Sequence, residues 1–391
     1  MNNFTFYSPT YFVFGKAEEN NAGQYVKRFG GSKVLLHFGG GSVIRSGLLD
    51  RVKASLEREG LSCVELGGVK PNPRSGLVYE GIDLCRKEKV DFVLAVGGGS
   101  TIDSAKAIAA GAVYEGDFWD FYMGKSVTKA LPIGTILTIA AAGSEGSPDS
   151  VITKEEGMLK RGASGEALRP AFSILNPELT QTLPAYQTAC GITDIMAHLF
   201  ERYFTNTRDV EVTDRLLEGL LMTMIHEGPR VIANPNDYQA RANIMWAGMV
   251  GHNNSCGVGR DQDWSSHCLE HELSAMYDCA HGAGLAVVFP AWMEYTMDHD
   301  VMRFAQLANR VWGCPMDFQH PEVTAKAGID ALRSFLKAIG MPQTLAELGG
   351  KEEDIPTLAH IAAYGNGNGG TLGSFVVLDE EDMINIYRRM L

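Results

Sequence analysis

The chain has 391 residues, 45% hydrophobic and 21% charged, a composition that leaves room for two folded cores and excludes a disordered or fibrous protein. Its formal net charge of -13 argues against nucleic acid or an anionic membrane as partner, because both are bound through clustered lysine and arginine. Seven cysteines without a Cys-x-x-Cys pair suggest neither a disulfide framework nor a zinc ribbon; with no leader-like amino terminus and no membrane-length apolar run, a cytoplasmic protein is expected.

Tyr11–Phe14 is an aromatic strand candidate, and a polar helical stretch follows it. Residues 33–38 form the next strand pattern, which runs into Gly39-Gly40-Gly41-Ser42 and then a helix carrying Leu48, Leu49, Val52 and Leu56. A strand at 63–66, the Pro71-Asn72-Pro73 loop and a helix through Val78, Ile82 and Leu84 repeat the order. This alternation implies a parallel sheet. Residues 91–96 read as a buried strand ending in Gly97-Gly98-Gly99-Ser100, before a helix at 101–111. Glycines there let the backbone approach a diphosphate, and free amides at the helix start supply donors. The plainer alternative is a cap of the Ser-x-x-acid kind, formed by Ser100 and Asp103.

A strand at 132–138 enters the turn Ala140-Ala141-Ala142-Gly143-Ser144-Glu145, residues 151–160 look like a hairpin, and Phe172–Leu175 looks like a closing strand. After Asn176-Pro177 and Pro184 the pattern becomes helical, at 194–204, 209–226, 238–253, 265–277, 301–312, 321–339 and 379–391. The expected architecture is an α/β parallel-sheet nucleotide domain over residues 1–180 and an all-helical, metal-binding and catalytic domain over 181–391. The glycine-rich stretch at 365–373 lacks a strand-turn-helix frame and reads as a loop.

Metal-binding residue types concentrate in the helical half. Asp194 and His198 stand four apart on one helix face, as do His267 and His271, and His281 follows beside Gly282 and Gly284. These residues are five candidate donors for one ion. Imidazole and carboxylate together suit a first-row divalent metal better than magnesium or calcium. A single histidine is more often a hydrogen-bonded side chain than a ligand, and spacing alone leaves the choice among the five open.

The ordered set Gly97-Gly98-Gly99-Ser100-x-x-Asp103-x-x-Lys106, Gly143-Ser144-Glu145, Asp194-x-x-x-His198 and His267-x-x-x-His271 with His281-Gly282-x-Gly284-Leu285 resembles the iron-containing alcohol dehydrogenases. Within them it is most similar to the NADPH-dependent butanol dehydrogenases and broad-range aldehyde reductases. The resemblance spans essentially the whole chain and implies a Rossmann-like first domain in a dehydroquinate synthase-like fold. It also implies metal ligands at Asp194, His198, His267 and His281, leaving His271 as a nearby non-ligand. By the same resemblance, cofactor contacts fall at Gly39, Gly40, Gly41 and Ser42 for the adenosine end, at Asn72, and at Gly98, Gly99, Ser100 and Asp103 for the diphosphate side. Thr138, Ser144 and Lys160 line the remainder. Ala140-Ala141-Ala142 stands where the family usually has Pro-Ala-Thr, so a local turn is expected to differ.

The resemblance implies reversible hydride transfer between NADP(H) and a small alcohol or aldehyde such as butanol or butanal. One divalent ion, iron first and zinc as alternative, acts as Lewis acid, and a homodimer is the family expectation. His271 is the expected proton relay; its plainer role is a hydrogen-bonded residue that orients a ligand. NADP(H) is expected over NAD(H) because the turn at Gly39–Ser42 carries no acid to repel a 2'-phosphate, and Arg45 follows closely. The rivals are a glycerol-dehydrogenase-like polyol oxidoreductase and a nucleotide-binding protein whose ion only pins helices. Arg202, Arg208, Arg215, Arg230, Arg241 and Arg260 do not cluster at ligand positions, which favours an uncharged substrate.

Overall fold

Strands β1 (Tyr11–Phe14), β2 (Lys33–Gly39), β3 (Ser62–Val69), β4 (Phe92–Gly97), β5 (Ile133–Leu137), β6 (Asp149–Lys154), β7 (Leu159–Ser164) and β8 (Phe172–Leu175) all lie in the amino-terminal part of the chain. The computed structural model describes residues 1–365 and 369–391, in two compact units: Tyr7–Leu183, and Pro184–Leu391 with Met1–Phe6. The expected loop at 365–373 therefore lies partly outside the described residues.

In the first unit six strands form a sheet in the order β1-β8-β5-β4-β2-β3 with every neighbouring pair parallel. Apolar runs such as Phe92-Val93-Leu94-Ala95-Val96 are buried throughout, as a parallel sheet with both faces covered requires. Helices α1 (Ala22–Arg28), α2 (Ser42–Arg45), α3 (Leu48–Arg58), α4 (Ser75–Glu88), α5 (Gly99–Ala112) and α6 (Trp119–Tyr122) connect the strands. The helix expected after Ser42 is broken into α2 and α3 because Gly47 adopts φ 67 between them. Phe172–Leu175, which reads as a closing strand, is inserted between β1 and β5, and Phe172 stacks on Phe92 and Phe29 inside the core. The hairpin β6-β7 stands apart as a two-stranded antiparallel sheet.

The second unit is helical: α7 (Ala185–Tyr203), α8 (Glu211–Ala233), α9 (Tyr238–His252), α10 (Ser265–Tyr277), α11 (His281–Thr296), α12 (Val301–Trp312), α13 (Pro321–Ala338), α14 (Ile355–Tyr364) and α15 (Glu380–Arg388). Helix α7 begins nine residues before the expected start at 194, just after Pro184, whose fixed φ suits the entrance to a helix. The α11 helix is absent from the sequence reading. Its sequence is apolar on nearly every side and contains Pro290, so it shows no amphipathic period, and burial rather than patterning makes it a helix. Residues 1–6, expected in the amino-terminal domain, pack on this unit: the Asn2 amide donates to Gly259 O at 2.8 Å, and its side chain reaches Thr207 and Asp261. Among the described residues no helix is long and apolar enough to cross a membrane.

Inside β2, His37 is completely buried. Its Nδ1 lies 2.8 Å from Leu66 O, which can only accept, so Nδ1 carries the hydrogen and Nε2 accepts from Ser104 Oγ at 2.9 Å. Burial holds its pKa down at about 4, against about 6.5 when exposed. A depressed folded pKa contributes stability that is complete above the unfolded value and lost as pH falls through the folded one, here about 3 kcal/mol between pH 6.5 and 4. The difference between the pH profiles of urea-unfolding midpoints for wild type and His37→Asn is expected to show this loss over that window; parallel profiles would refute it.

Candidate active site

The two glycine turns sit at the carboxyl ends of adjacent strands, since β2 pairs with β4 through Phe38 and Val96. The chain runs outward from β2 to β3 and then returns to β4 on the other side. The gap between β2 and β4 is thus the point where strand order reverses, which in open α/β sheets is where a dinucleotide binds. Gly39 ends β2, Gly40 and Gly41 form the turn, and Ser42 opens α2. Gly98 precedes α5 in extended conformation, so Gly99 and Ser100 lie in the helix's first turn with its unbonded amides. Side chains at Gly98 or Gly99 would crowd Ile139 or Ala142, at 3.1 and 3.0 Å. Ala142, where the sequence departs from the family run, thus packs against Gly99. Thr138 follows β5, its amide donating to Gly97 O at 3.0 Å.

Ser100 does not form the cap with Asp103: the helix cap is Gly98, and no side chain bonds there. Asp103 instead accepts from Ser144 Oγ at 2.5 Å and from the Val151 amide at 3.0 Å. It ties the Ser144 turn and the β6 strand to α5. Buried Lys106 works beside it, donating to Ser147 O and Asp149 O at 2.9 and 2.7 Å. Burial drives the Asp103 carboxyl up and the Lys106 ammonium down to about 8, while their attraction opposes both shifts. Asn72 and Lys160 are both placed near Thr153 of the hairpin. Thr153 faces Lys160 in the β6-β7 ladder, and its amide donates to Pro73 O, next to Asn72.

In the helical unit α7 presents Asp194 and His198 one turn apart, α10 presents His267, and α11 starts at His281. Asp194 Oδ1 lies 3.8 Å from His198 Nε2, 4.0 Å from His267 Nε2 and 3.7 Å from His281 Nε2. These separations are too long for hydrogen bonds. They approach the spacing of about 3.4 Å between atoms that share one tetrahedral ion at about 2.1 Å. Burial first, and then coupling to the neighbouring His252, His267 and Arg202, holds the His198 pKa well below its usual value, so a neutral imidazole with a lone pair is the resting form. Three imidazole nitrogens around one buried carboxylate oxygen fit a first-row divalent ion.

His271 does not join this group. It is half-buried, its ring 5.7 Å from that of His281 on the side shared with Glu270. Arg202 lies closer to the site than sequence spacing indicated: it donates to His198 O at 2.8 Å, contacts His252 Nδ1 at 3.0 Å and stacks over Trp264. Since arginine only donates, His252 Nδ1 is an acceptor there. Trp264, with φ 67, packs 5.1 Å from the His267 ring and 5.8 Å from that of His198. Glu201 and Glu270, which no sequence motif singles out, are buried carboxylates bonded to Nδ1 of His267 and of His281 respectively. The available signal was an acid three residues after a candidate histidine on each helix.

Residues 9–177 match the sequence model described as iron-containing alcohol dehydrogenase, and residues 188–391 match that of the carboxyl-terminal part of the same family. A probable NADH-dependent butanol dehydrogenase 2 of Bacillus subtilis is 43% identical over 392 residues, covering 100% of both chains. An NADPH-dependent aldehyde reductase of Escherichia coli is 37% identical over 362 residues, 92% of each chain. The crystal structure of an NADH-dependent butanol dehydrogenase A from Thermotoga maritima is similar with a TM-score of 0.96 at 41% identity, covering 100% of this chain and 99% of that one. Replacement of either outer histidine tests the donor set: purified His267→Ala and His281→Ala are expected to lose bound divalent metal, whereas His271→Ala keeps it. Elemental analysis decides this, and equal loss in all three would show that His271 is a ligand.

Proposed function

The chain belongs to the iron-containing alcohol dehydrogenase family, and on that premise we propose that it transfers a hydride reversibly between NADP(H) and a small uncharged alcohol or aldehyde of the butanol/butanal kind. The observation that carries the reading is the convergence of the three Nε2 atoms on Asp194 Oδ1, each within 4.0 Å. Asp194, His198, His267 and His281 would hold a divalent ion, iron first and zinc second. When bound, that ion supplies Lewis-acid stabilisation of negative charge on the substrate oxygen, and the dinucleotide carries the hydride.

The chain's own residues supply the rest. Trp264 and Phe289 place aromatic rings 5.1 and 6.5 Å from the His267 ring and keep water from that side of the donor group. His271, half-buried, delivers the proton that aldehyde reduction consumes at the substrate oxygen and takes it back in oxidation, a task suited to imidazole near neutral pH. In the first unit the helix-start amides of Gly99 and Ser100 receive the diphosphate, and the Gly39–Ser42 turn the adenosine end. Edge strand β1, with Tyr11 and Phe14 exposed, supports the homodimer that belongs to this reading.

Preference for NADP(H) rests on the first glycine turn. It carries no acid, and Arg45 Nη1 lies 2.5 Å from where a Gly41 side chain would begin, placing a guanidinium over the turn. That charge would attract a 2'-phosphate. Relatives are named for either dinucleotide, so the comparison is made directly, by following NADPH and NADH oxidation with butanal. NADPH is expected to give the higher kcat/KM. A Cβ at Gly39 would meet nothing closer than 3.5 Å, so the backbone there tolerates substitution, and Gly39→Asp is expected to lower NADPH use about tenfold by repulsion. Equal use of both cofactors by the wild type, unchanged in the variant, would refute this placement of the adenosine; no oxidation of either cofactor with any aldehyde would favour the non-enzymatic alternative.

A further inference from the structure

The face of α7 that carries Asp194 and His198 continues, three residues on, to Glu201, and the face of α10 that carries His267 continues by the same step to Glu270. Each glutamate reaches a histidine of the next helix of the site. Glu201 of α7 reaches α10: its Oε1 accepts from His267 Nδ1 at 2.7 Å and from the His267 amide at 3.0 Å, and its Oε2 accepts from the Trp264 amide at 2.7 Å. Glu270 of α10 reaches α11, where its Oε2 accepts from His281 Nδ1, while its Oε1 accepts from Ser274 Oγ. Both carboxylates are buried, 1% and 0% exposed. Space is reserved for the second, because a side chain at Gly284 would sit 2.6 Å from Glu270 Oε1.

His198 is arranged differently. Its Nδ1 has no hydrogen-bond partner among the described residues, and its ring is held by stacking 4.1 Å from His252. The site therefore has two imidazoles backed by a buried carboxylate and one backed by a ring; burial pushes the Glu201 carboxyl up, and the His267 and Trp264 amides that it accepts from favour its ionised form. A carboxylate at Nδ1 keeps the hydrogen on that nitrogen and leaves the Nε2 lone pair facing Asp194. It also makes that lone pair a better donor to a cation, and such partners typically govern metal affinity by 10- to 100-fold.

We propose that Glu201 and Glu270 are positioning residues, each carried by the preceding helix of the site, that fix the ion-binding tautomers of His267 and His281 and set metal affinity through their charge. The inference rests on the metal-dependent reading above. Glutamine is the informative substitution because it keeps size and an acceptor and removes only charge. At 270 the amide of Glu270→Gln still accepts from His281 and donates to Ser274 Oγ, so the fold is retained. At 201 the amide nitrogen of Glu201→Gln faces the Trp264 N–H, so some stability is lost as well.

The test titrates full-length, metal-stripped wild type, Glu270→Gln and Glu201→Gln with Zn2+ against a chromogenic chelator, after thermal unfolding has established that each is folded. Zn2+ affinity about 10- to 100-fold weaker in both variants, with the metal-free unfolding midpoint of Glu270→Gln unchanged, supports the assignment. Wild-type affinity in folded Glu270→Gln overturns it for His281, and the same result in Glu201→Gln overturns it for His267. A wild-type chain that binds no Zn2+ overturns the metal reading itself, an outcome distinct from variants that bind as tightly as a binding wild type.

Discussion

Asp194 is a carboxylate 4% exposed in the middle of a helical unit, and an anion so far removed from water must be met by positive or donor groups. The Nε2 lone pairs that face it cannot meet that need; with the carboxylate oxygen they form a donor set that a divalent cation would satisfy. These donors come from three helices rather than one, which obliges α7, α10 and α11 to approach at the positions of Asp194, His267 and His281. The close approach of α11 has a visible cause: a Gly282 side chain would begin 2.0 Å from the Cys190 carbonyl oxygen on α7. Any larger residue there would push His281 away from Asp194.

The start of α10 shows the same requirement acting on the backbone. Trp264 adopts a left-handed conformation that a bulky residue rarely tolerates. It is held there because Glu201 collects the free amides of Trp264 and His267. A negative charge at a helix amino terminus is favourable in its own right. One carboxylate thereby starts the helix, orients its histidine and positions the indole that walls the site.

The first unit solves a different problem. Its sheet brings two strand-to-helix turns side by side, and what the second turn presents are helix-start main-chain amides, so Asp103 and Lys106 around it act by holding loops in place. Both are buried and bonded to the segment 144–151, which lies outside α5 in sequence but is fastened to it in space.

Local pattern was enough to read the alternation of strand and helix up to Leu175, the two glycine turns, and the pairing of Asp194 with His198, because side-chain period and turn chemistry are properties of neighbouring residues. The family resemblance added a choice that spacing left open, His281 over His271, and in the structure His281 is the one within 3.7 Å of Asp194. Helix α11 escaped because an element buried on all sides has no polar face to mark its period. Glu201 and Glu270 escaped because an acid near a histidine on one helix predicts a bond within that helix, whereas both bond to the next. The insertion of Phe172–Leu175 between β1 and β5 likewise depends on which edges remain to be paired. Residue type and spacing therefore determined what the chain could bind; only tertiary packing decided which groups share a centre, since burial rewards contacts between residues far apart in sequence and local pattern carries no record of them.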